Sequence, residues 1–389
     1  MKQFVMYGAG SIGRGFIGAL FSKLGYEVTF IDVNEEVVRL LNTYHQYDQV
    51  IVGEQTQTIT IQHVKAVDGK DEQAVCEAIA SADLMATALG ANILPKVAPL
   101  VAKGLKYRWE TRGNVPLDIL ICENLNDADR IFHDAVAQYM EDPKWDTLVG
   151  FVETSIGKMV PPANNFEEAT SPLAVRQEAY EFLPVNKAAI KTKWTDASQI
   201  IPYAPFQYFV ERKLFVHNMA HFTTALLGMY EGFTYISEAA SDISIQWIVK
   251  NCMAESAMAL AGAYGVSYAK LQDHMNDLLY RFQNVALKDT VARVARDLMR
   301  KIKPKDRLVG AMRLCLENEI QPVYLCFAIS LALSYVDQDV LEEVCEIHQD
   351  EKVYEWIQGD LAWLKKKPSL TQTITYLEKQ EHEIIGSVI

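Results

Sequence analysis

The sequence predicts an α/β domain followed by an all-α domain. In the first half, short β-rich runs alternate with helical stretches, the pattern of parallel strands joined by crossover helices. Most of those runs are continuously apolar, as strands covered on both faces must be. After Pro202 apolar residues recur at spacings of three and four, and the breaks are short, as at Tyr264-Gly265, Lys303-Pro304 and Lys367-Pro368.

A length of 389 residues suits two or three units at roughly 150 residues each. Half of the residues are hydrophobic and 22% are charged, which supports a sizeable interior and excludes a largely disordered chain. The net charge of −13 argues against a general nucleic-acid or anionic-membrane surface, so an anionic ligand needs a local basic site. The longest apolar run, twelve residues at 325–336, is shorter than the ~18 a membrane helix needs. Six scattered cysteines without a C-x-x-C pair, and a strand-like start, read as reduced thiols in a cytoplasmic protein with neither anchor nor export signal. Oligomeric state is left open.

The expected strands are 3–7, 27–32, a paired segment within 49–62, 84–89, 118–122 and 148–154, with a last strand at 191–194. Ile201-Pro202-Tyr203-Ala204-Pro205 reads as a stiff lead-in to the first long helix, which puts the domains at 1–195 and 196–389. The first strand runs into Gly8-Ala9-Gly10-Ser11-Ile12-Gly13 and then a helix. In that context Gly8 permits the tight turn, Gly10 lets backbone approach a pyrophosphate, and Gly13 lets the helix lie close to the strand with its N-terminus facing phosphate. The second strand ends in Asp32, nineteen residues after Gly13, where a carboxylate accepts from a ribose 2′-hydroxyl and repels a 2′-phosphate. The pattern is a Rossmann-type dinucleotide site that prefers NAD to NADP.

Two further strand ends should face the cofactor. Small residues from Thr87 to Gly90 allow close approach of the nicotinamide ribose, and Asn124, in Cys122-Glu123-Asn124, is either an uncharged donor to substrate or a turn-forming asparagine. In the second half, regular helical winding places Lys213, His217, His221 and Asn218, in that angular order, on one polar arc of an otherwise apolar helix. Such an arc either faces a cleft, where a lysine base with Asn and His donors would suit hydride transfer from an alcohol, or is an ordinary solvated face. Spacing does not decide between them.

Lys213-x4-Asn218-x2-His221 preceded by Val-Glu-Arg, the run Gly8–Gly18, Cys122-Glu123-Asn124, Val160-Pro161-Pro162, Arg281-Phe282-x-Asn284, Leu287-Lys288-Asp289 and Lys305-Asp306-Arg307-Leu308 together resemble the polyol-specific long-chain dehydrogenases. The likeness covers nearly the whole chain, and the length fits the shorter, phosphate-using branch. It implies a Rossmann-type domain and a helical substrate domain, and metal-independent interconversion of mannitol 1-phosphate and fructose 6-phosphate with NAD. It assigns Lys213 as general base, Asn218 and Asn124 as groups that polarise or hold the reacting oxygen, and His221 as a substrate-orienting residue. His217 has no matching role and is left as a helix-face residue. One departure stands out: Gly157-Lys158 occupies the place of the family's usual Asp-Arg pair, which leaves the polyol open.

The window 281–307 holds nine basic and three acidic residues, net +6 in a chain of −13. It would concentrate attraction for a sugar or polyol phosphate, with Arg281, Lys288 and Arg307 as candidate phosphate ligands, unless it is a plain solvated helix face. Two other functions remain: a related enzyme acting on an unphosphorylated polyol or a hexuronate, and an NAD-binding regulator without turnover.

Overall fold

The computed structural model describes residues 1–160, 171–336 and 350–388. Pro161, Pro162 and Cys345 lie outside them. The chain divides into two compact units, Met1–Phe209 and Val210–Ile389.

The first unit begins with β1 (Lys2–Tyr7), whose end feeds a π-helical turn, Gly13–Gly18, and α1 (Ala19–Lys23). There follow β2 (Tyr26–Asp32), α2 (Glu35–Tyr44), β3 (Gln46–Ile51), β4 (Gln57–Gln62), β5 (Val64–Asp68), α3 (Glu72–Ser81), β6 (Leu84–Thr87), α4 (Ala98–Arg112), β7 (Leu117–Ile121), α5 (Ala128–Ala137), α6 (Trp145–Leu148) and β8 (Val149–Glu153). The main sheet has the order β5-β2-β1-β6-β7-β8 with every pairing parallel. This is the doubly wound order whose ligand crevice lies beyond the carboxyl ends of the central strands. Alternation along β1 explains why a continuous apolar run is needed. Phe4 and Met6 join a core with Phe21 and Phe30, and Val5 and Tyr7 join a second core with Ile79, Leu105 and Ile119 on the other face. Phe4 stacks on Phe21 at 4.0 Å between ring centres.

Several strand expectations are corrected. The paired segment is an antiparallel hairpin of β3 and β4 that leaves the main sheet and takes β9 (Val175–Gln177) as a parallel partner. The edge strand β5 went unread, because its Val64-Lys65-Ala66-Val67-Asp68 sequence is only partly apolar. Residues 191–194 are not a strand. Their donors go to the buried carboxylate of Asp118 in β7, which accepts from the Lys191 and Thr192 N–H groups (2.8 and 2.9 Å), the Thr192 hydroxyl (2.6 Å) and Trp194 Nε1 (2.8 Å). The last strand is β11 (Ile200–Tyr203), where a helix lead-in was expected, paired in parallel with β10 (Leu183–Asn186). That pair carries the first unit to 209, beyond the 195/196 boundary read from sequence.

Every regular element among the second unit's described residues is helical, with one isolated antiparallel bridge between Tyr235 and Thr290. After α7 (Gln207–Glu211), which straddles the division, a π-helical segment, Arg212–Asn218, leads directly into α8 (Met219–Glu231). Then come α9 (Ile236–Ser241), α10 (Ile243–Tyr264), α11 (Tyr268–Phe282), α12 (Val291–Ala295), α13 (Leu298–Lys301), α14 (Val309–Glu317), α15 (Val323–Leu333), α16 (Glu351–Leu364) and α17 (Leu370–Val388). Every residue of α15 is buried, so the apolar run at 325–336 is the central helix of a bundle. Among the described residues no helix is long and apolar enough to cross a membrane. The buried Glu255 carboxylate of α10 accepts the N–H groups of Tyr324 and Leu325 (2.8 and 2.9 Å), satisfying donors at the start of α15 that have no partner within that helix.

Candidate active site

In the first unit the glycine loop connects β1 to its helix with the geometry a dinucleotide needs. Gly8 has φ +106°, and a Cβ there would stand 2.5 Å from the Ala88 carbonyl oxygen. A Cβ at Gly13 would meet the Gly8 carbonyl oxygen at 1.9 Å, so helix and loop can approach this closely only without a side chain. At Gly10, by contrast, no described atom lies within 4 Å of that position, and the residue is exposed. Backbone is thus open to a ligand at the one loop glycine that packing does not require. Ala9 is buried, and Ser11 and Ile12 are half-buried.

Asp32 ends β2 beside this loop. Its Oδ2 accepts the Ala9 N–H at 2.7 Å and its Oδ1 the Asn34 N–H at 2.9 Å, which fixes the carboxylate beside the glycine loop. Arg14 latches the loop from the other side, donating from Nε to the Ala9 carbonyl (2.6 Å) and from Nη1 to that of Leu173 (2.5 Å). Burial lowers its pKa, against the opposing pull of Tyr47 and Asp32. The donor set and the open backbone fit a dinucleotide.

Strand β6 ends at Thr87, two residues short of the expected Leu89. Thr87 is fully enclosed, its carbonyl accepting the Cys122 N–H and its hydroxyl without a hydrogen-bond partner among the described residues, so the expected contact of Thr87 itself with a ligand is corrected: it presents no accessible surface. The loop beyond is held by Glu123, whose buried carboxylate accepts the Leu89 and Gly90 N–H groups, both at 2.8 Å. Sequence reading singled out its neighbour Asn124, which is exposed, and gave Glu123 no role. The signal was a carboxylate within a strand-end motif.

In the second unit Lys213 and Asn218 lie in the π-helical segment and His221 in α8. Regular α-helical winding therefore fails here. A π-helix closes i→i+5 bonds around a wider turn, so Asn218, five residues on, falls nearer the Lys213 face than an α-helix would place it. Single π turns are frequent at functional positions. Lys213 is half-buried, and burial, followed by the charge of Arg307, lowers its pKa to about 8. Asn218 is also half-buried.

His221 Nε2 lies 3.1 Å from Asp289 Oδ2, without good hydrogen-bond alignment, and its ring stacks on Phe282 at 5.0 Å. Asp289 also takes a two-pronged contact from Arg293 (2.6 and 2.7 Å). Burial would raise its carboxyl, but the His221 and Arg293 contacts hold it down at about 2.

His217 is corrected from a helix-face residue to a buried one, 6% exposed, with its ring 6.4 Å from that of His221. Its pKa is pushed well below the ordinary value by burial, then by Arg281, His221, His274 and Lys213. His274 is depressed likewise, by burial, Arg212 and Arg281. Sequence reading missed His274, although it stands seven residues before Arg281 on α11 and so shares its face.

The proposed phosphate ligands are not equivalent. Arg281 is buried and pairs with Asp277 at 3.1 Å, and Arg307 is half-buried with Nε 2.9 Å from Asp306. Lys288 is exposed, in a left-handed conformation (φ 47°) after a short 3₁₀ turn. At the departure from the family pattern, a Cβ on Gly157 would lie 3.1 Å from the Tyr180 hydroxyl. Lys158 is buried, its ammonium 5.1 Å from the centre of the Phe16 ring. Among the described residues no group of three or more His, Cys, Asp or Glu is arranged as a metal site.

Comparison with known proteins agrees with this architecture. A family described as the mannitol dehydrogenase Rossmann domain matches residues 2–196, and the mannitol dehydrogenase C-terminal domain matches residues 206–379. The chain is 32% identical to the mannitol-1-phosphate 5-dehydrogenase of Caldanaerobacter subterraneus subsp. tengcongensis, over 100% of both chains. It is 35% identical to that of Oceanobacillus iheyensis, over 88% of this chain and 89% of the relative. Among solved structures, the Pseudomonas fluorescens mannitol 2-dehydrogenase ternary complex with NAD and D-mannitol superposes with a TM-score of 0.71 at 14% identity, covering 97% of this chain and 94% of that one. A D-sorbitol dehydrogenase in substrate-free form gives 0.69 at 14%, over 86% and 81%. At such identities the structural likeness speaks for the fold, and the sequence matches carry the assignment: the chain belongs to the mannitol dehydrogenase family.

Proposed function

We propose that the protein interconverts D-mannitol 1-phosphate and D-fructose 6-phosphate with NAD, using Lys213 as general base in oxidation and general acid in reduction. The observation that carries this reading is the amine of Lys213, brought down to about 8 on a helix it shares with Asn218 and His221. An ordinary lysine near 10.5 is too seldom neutral to serve as a base at neutral pH. The substrate is supported by the mannitol-1-phosphate 5-dehydrogenases that align along 88% and 100% of the chain.

The backbone of Gly8, Ala9, Gly10, Ser11, Ile12 and Gly13 would hold the pyrophosphate, Asp32 the adenine ribose, and the segment Ala88 to Gly90, fixed by Glu123, the nicotinamide ribose. The Asp32 carboxylate favours NAD over NADP by repelling a 2′-phosphate. Bound nicotinamide supplies hydride acceptance in oxidation and hydride donation in reduction. Neutral Lys213 takes the proton of the substrate hydroxyl as the carbinol carbon gives up hydride, and the ammonium returns it to the carbonyl oxygen in the reverse direction. The amides of Asn218 and Asn124 donate to that oxygen without titrating, and His221, steadied by Asp289, orients a substrate hydroxyl.

Initial rates at 340 nm test the reading in both directions. Absorbance should rise with mannitol 1-phosphate and NAD and fall with fructose 6-phosphate and NADH; silence in both from folded protein rejects the substrate. A second reading, an unphosphorylated polyol or hexuronate, draws on Gly157: with Tyr180 above it, an aspartate cannot enter without displacing the ring. A substrate panel separates the two.

A further inference from the structure

The proposed chemistry leaves a buried lysine of the second unit without a task. Lys301, the last residue of α13, is 7% exposed. Its ammonium donates to the Val294 carbonyl oxygen at 2.5 Å and stands 4.9 Å from the centre of the Phe222 ring. The Arg307 guanidinium lies 5.8 Å from the same ring centre. Phe222 directly follows His221 on α8, so one helix carries both the reacting groups and the floor beneath these two cations.

Carboxylates do not cancel this charge. Asp306 meets Arg307 at 2.9 Å and Arg300 at 3.3 Å, and Asp297 attracts Lys301. Even so, burial first, then repulsion from Arg307 and Arg300, brings Lys301 down to about 8. Arg307 acts in the same sense on Lys213. Lys213, Arg307 and Lys301 are thus linked by mutual repulsion, an arrangement that opposes folding and that a bound dianion relieves.

We propose that Lys301 and Arg307, above the face of Phe222, form the subsite for the substrate's phosphate. The inference rests on the reading of the substrate as a sugar phosphate and names the residues that select it. Arginine offers a planar fork to two phosphate oxygens and lysine a point charge to a third. In mannitol 1-phosphate the phosphorus is six bonds from the carbon that is oxidised, so its ligands must neighbour the base without coinciding with it. Arg307, whose charge reaches Lys213, suits the near side of the phosphate, and Lys301 the far side. Lys288, exposed on its turn, and Arg281, whose charge acts on His217 and His274 and not on Lys213, are not part of the subsite.

The test compares wild type with Lys301→Met and Lys301→Arg, all loaded with NAD or NADH. Lys301→Met should raise both the KM for mannitol 1-phosphate and the inhibition constant of inorganic phosphate by about tenfold or more, with kcat within about threefold. Lys301→Arg should recover most of the affinity. A change below twofold in both constants, or a loss confined to kcat, overturns the subsite. If Lys301→Met does not fold, Lys301→Gln, which keeps a donor near the Val294 carbonyl, takes its place: the same rise in both constants is expected, and a change below twofold rejects the proposal. Calorimetry with inorganic phosphate separates this inference from the substrate reading. Binding that Lys301→Met abolishes, in a protein that does not oxidise mannitol 1-phosphate, keeps the subsite and rejects the substrate; no binding to wild type rejects the subsite whatever the activity.

Discussion

With an amine pKa of about 8, roughly a tenth of Lys213 is neutral at pH 7, whereas an unperturbed lysine at 10.5 would be neutral about 300-fold less often. Oxidation requires the neutral form and reduction the ammonium. The oxidative kcat/KM should therefore climb tenfold per pH unit below the midpoint, bend near pH 8 and level above it, while the reductive rate stays level below the midpoint and falls above it. The measurement is initial rate at 340 nm between pH 6 and 10 with mannitol 1-phosphate and NAD, and with the reverse pair. Lys213→Ala should remove the bend and lower turnover by about 10²–10⁴-fold, leaving NAD affinity nearly unchanged. Arg307→Met should move the bend upward, because the arginine charge is the second cause of the depression after burial. An oxidative limb still rising at pH 10 in wild type, or a bend near 8 that persists in Lys213→Ala, would refute the assignment.

Gly10→Ala should leave the melting temperature within a degree or two but raise the Kd for NAD, because only open space meets the new methyl; Gly13→Ala should destabilise the protein outright, since its Cβ would collide with the Gly8 carbonyl. Calorimetry for NAD and a thermal melt distinguish the two. Glu123→Ala removes the acceptor of two backbone N–H groups and should cost about 2 kcal/mol in urea unfolding, with weaker NAD binding; an unchanged urea midpoint would show that water replaces the carboxylate without loss. Asp289→Asn withdraws the charge facing His221 and should reduce kcat/KM by about ten- to a hundredfold at 340 nm, with little effect on NAD affinity.

The fold was legible where physics acts over short stretches of chain. Continuous apolar runs marked the parallel strands, the spacing of Gly8, Gly10 and Gly13 marked the turn, and Asp32 lay at the expected strand end. Partners remote in sequence were not legible. Residues 191–194 look like a strand until Asp118, more than seventy positions earlier, takes their donors. Strands β9 and β10 are three and four residues long and depend on pairing for their existence. In the site, the residue types along 213–221 were plain, but their angles were not, because an ideal α-helix was assumed across a stretch that widens. The burial that changes Lys213, His217 and Lys301 comes from the whole bundle, and no local pattern announces it. Within the 281–307 window, charge count drew attention to Lys288, which is exposed, as much as to Arg307.

The widened turn at Arg212–Asn218 also sets the phase of everything that follows it. A π-helical turn accommodates one residue more than regular winding would, so deleting a single residue such as Leu214 offers the backbone an unstrained α-helical alternative. Re-winding after that deletion would keep the bearing of Lys213 relative to His221, whereas regular winding at full length would rotate one against the other by about 100°. The widened turn thus holds Lys213 and His221 on one bearing, and losing a residue outside it, between Asn218 and His221, should be far more damaging than losing one within it.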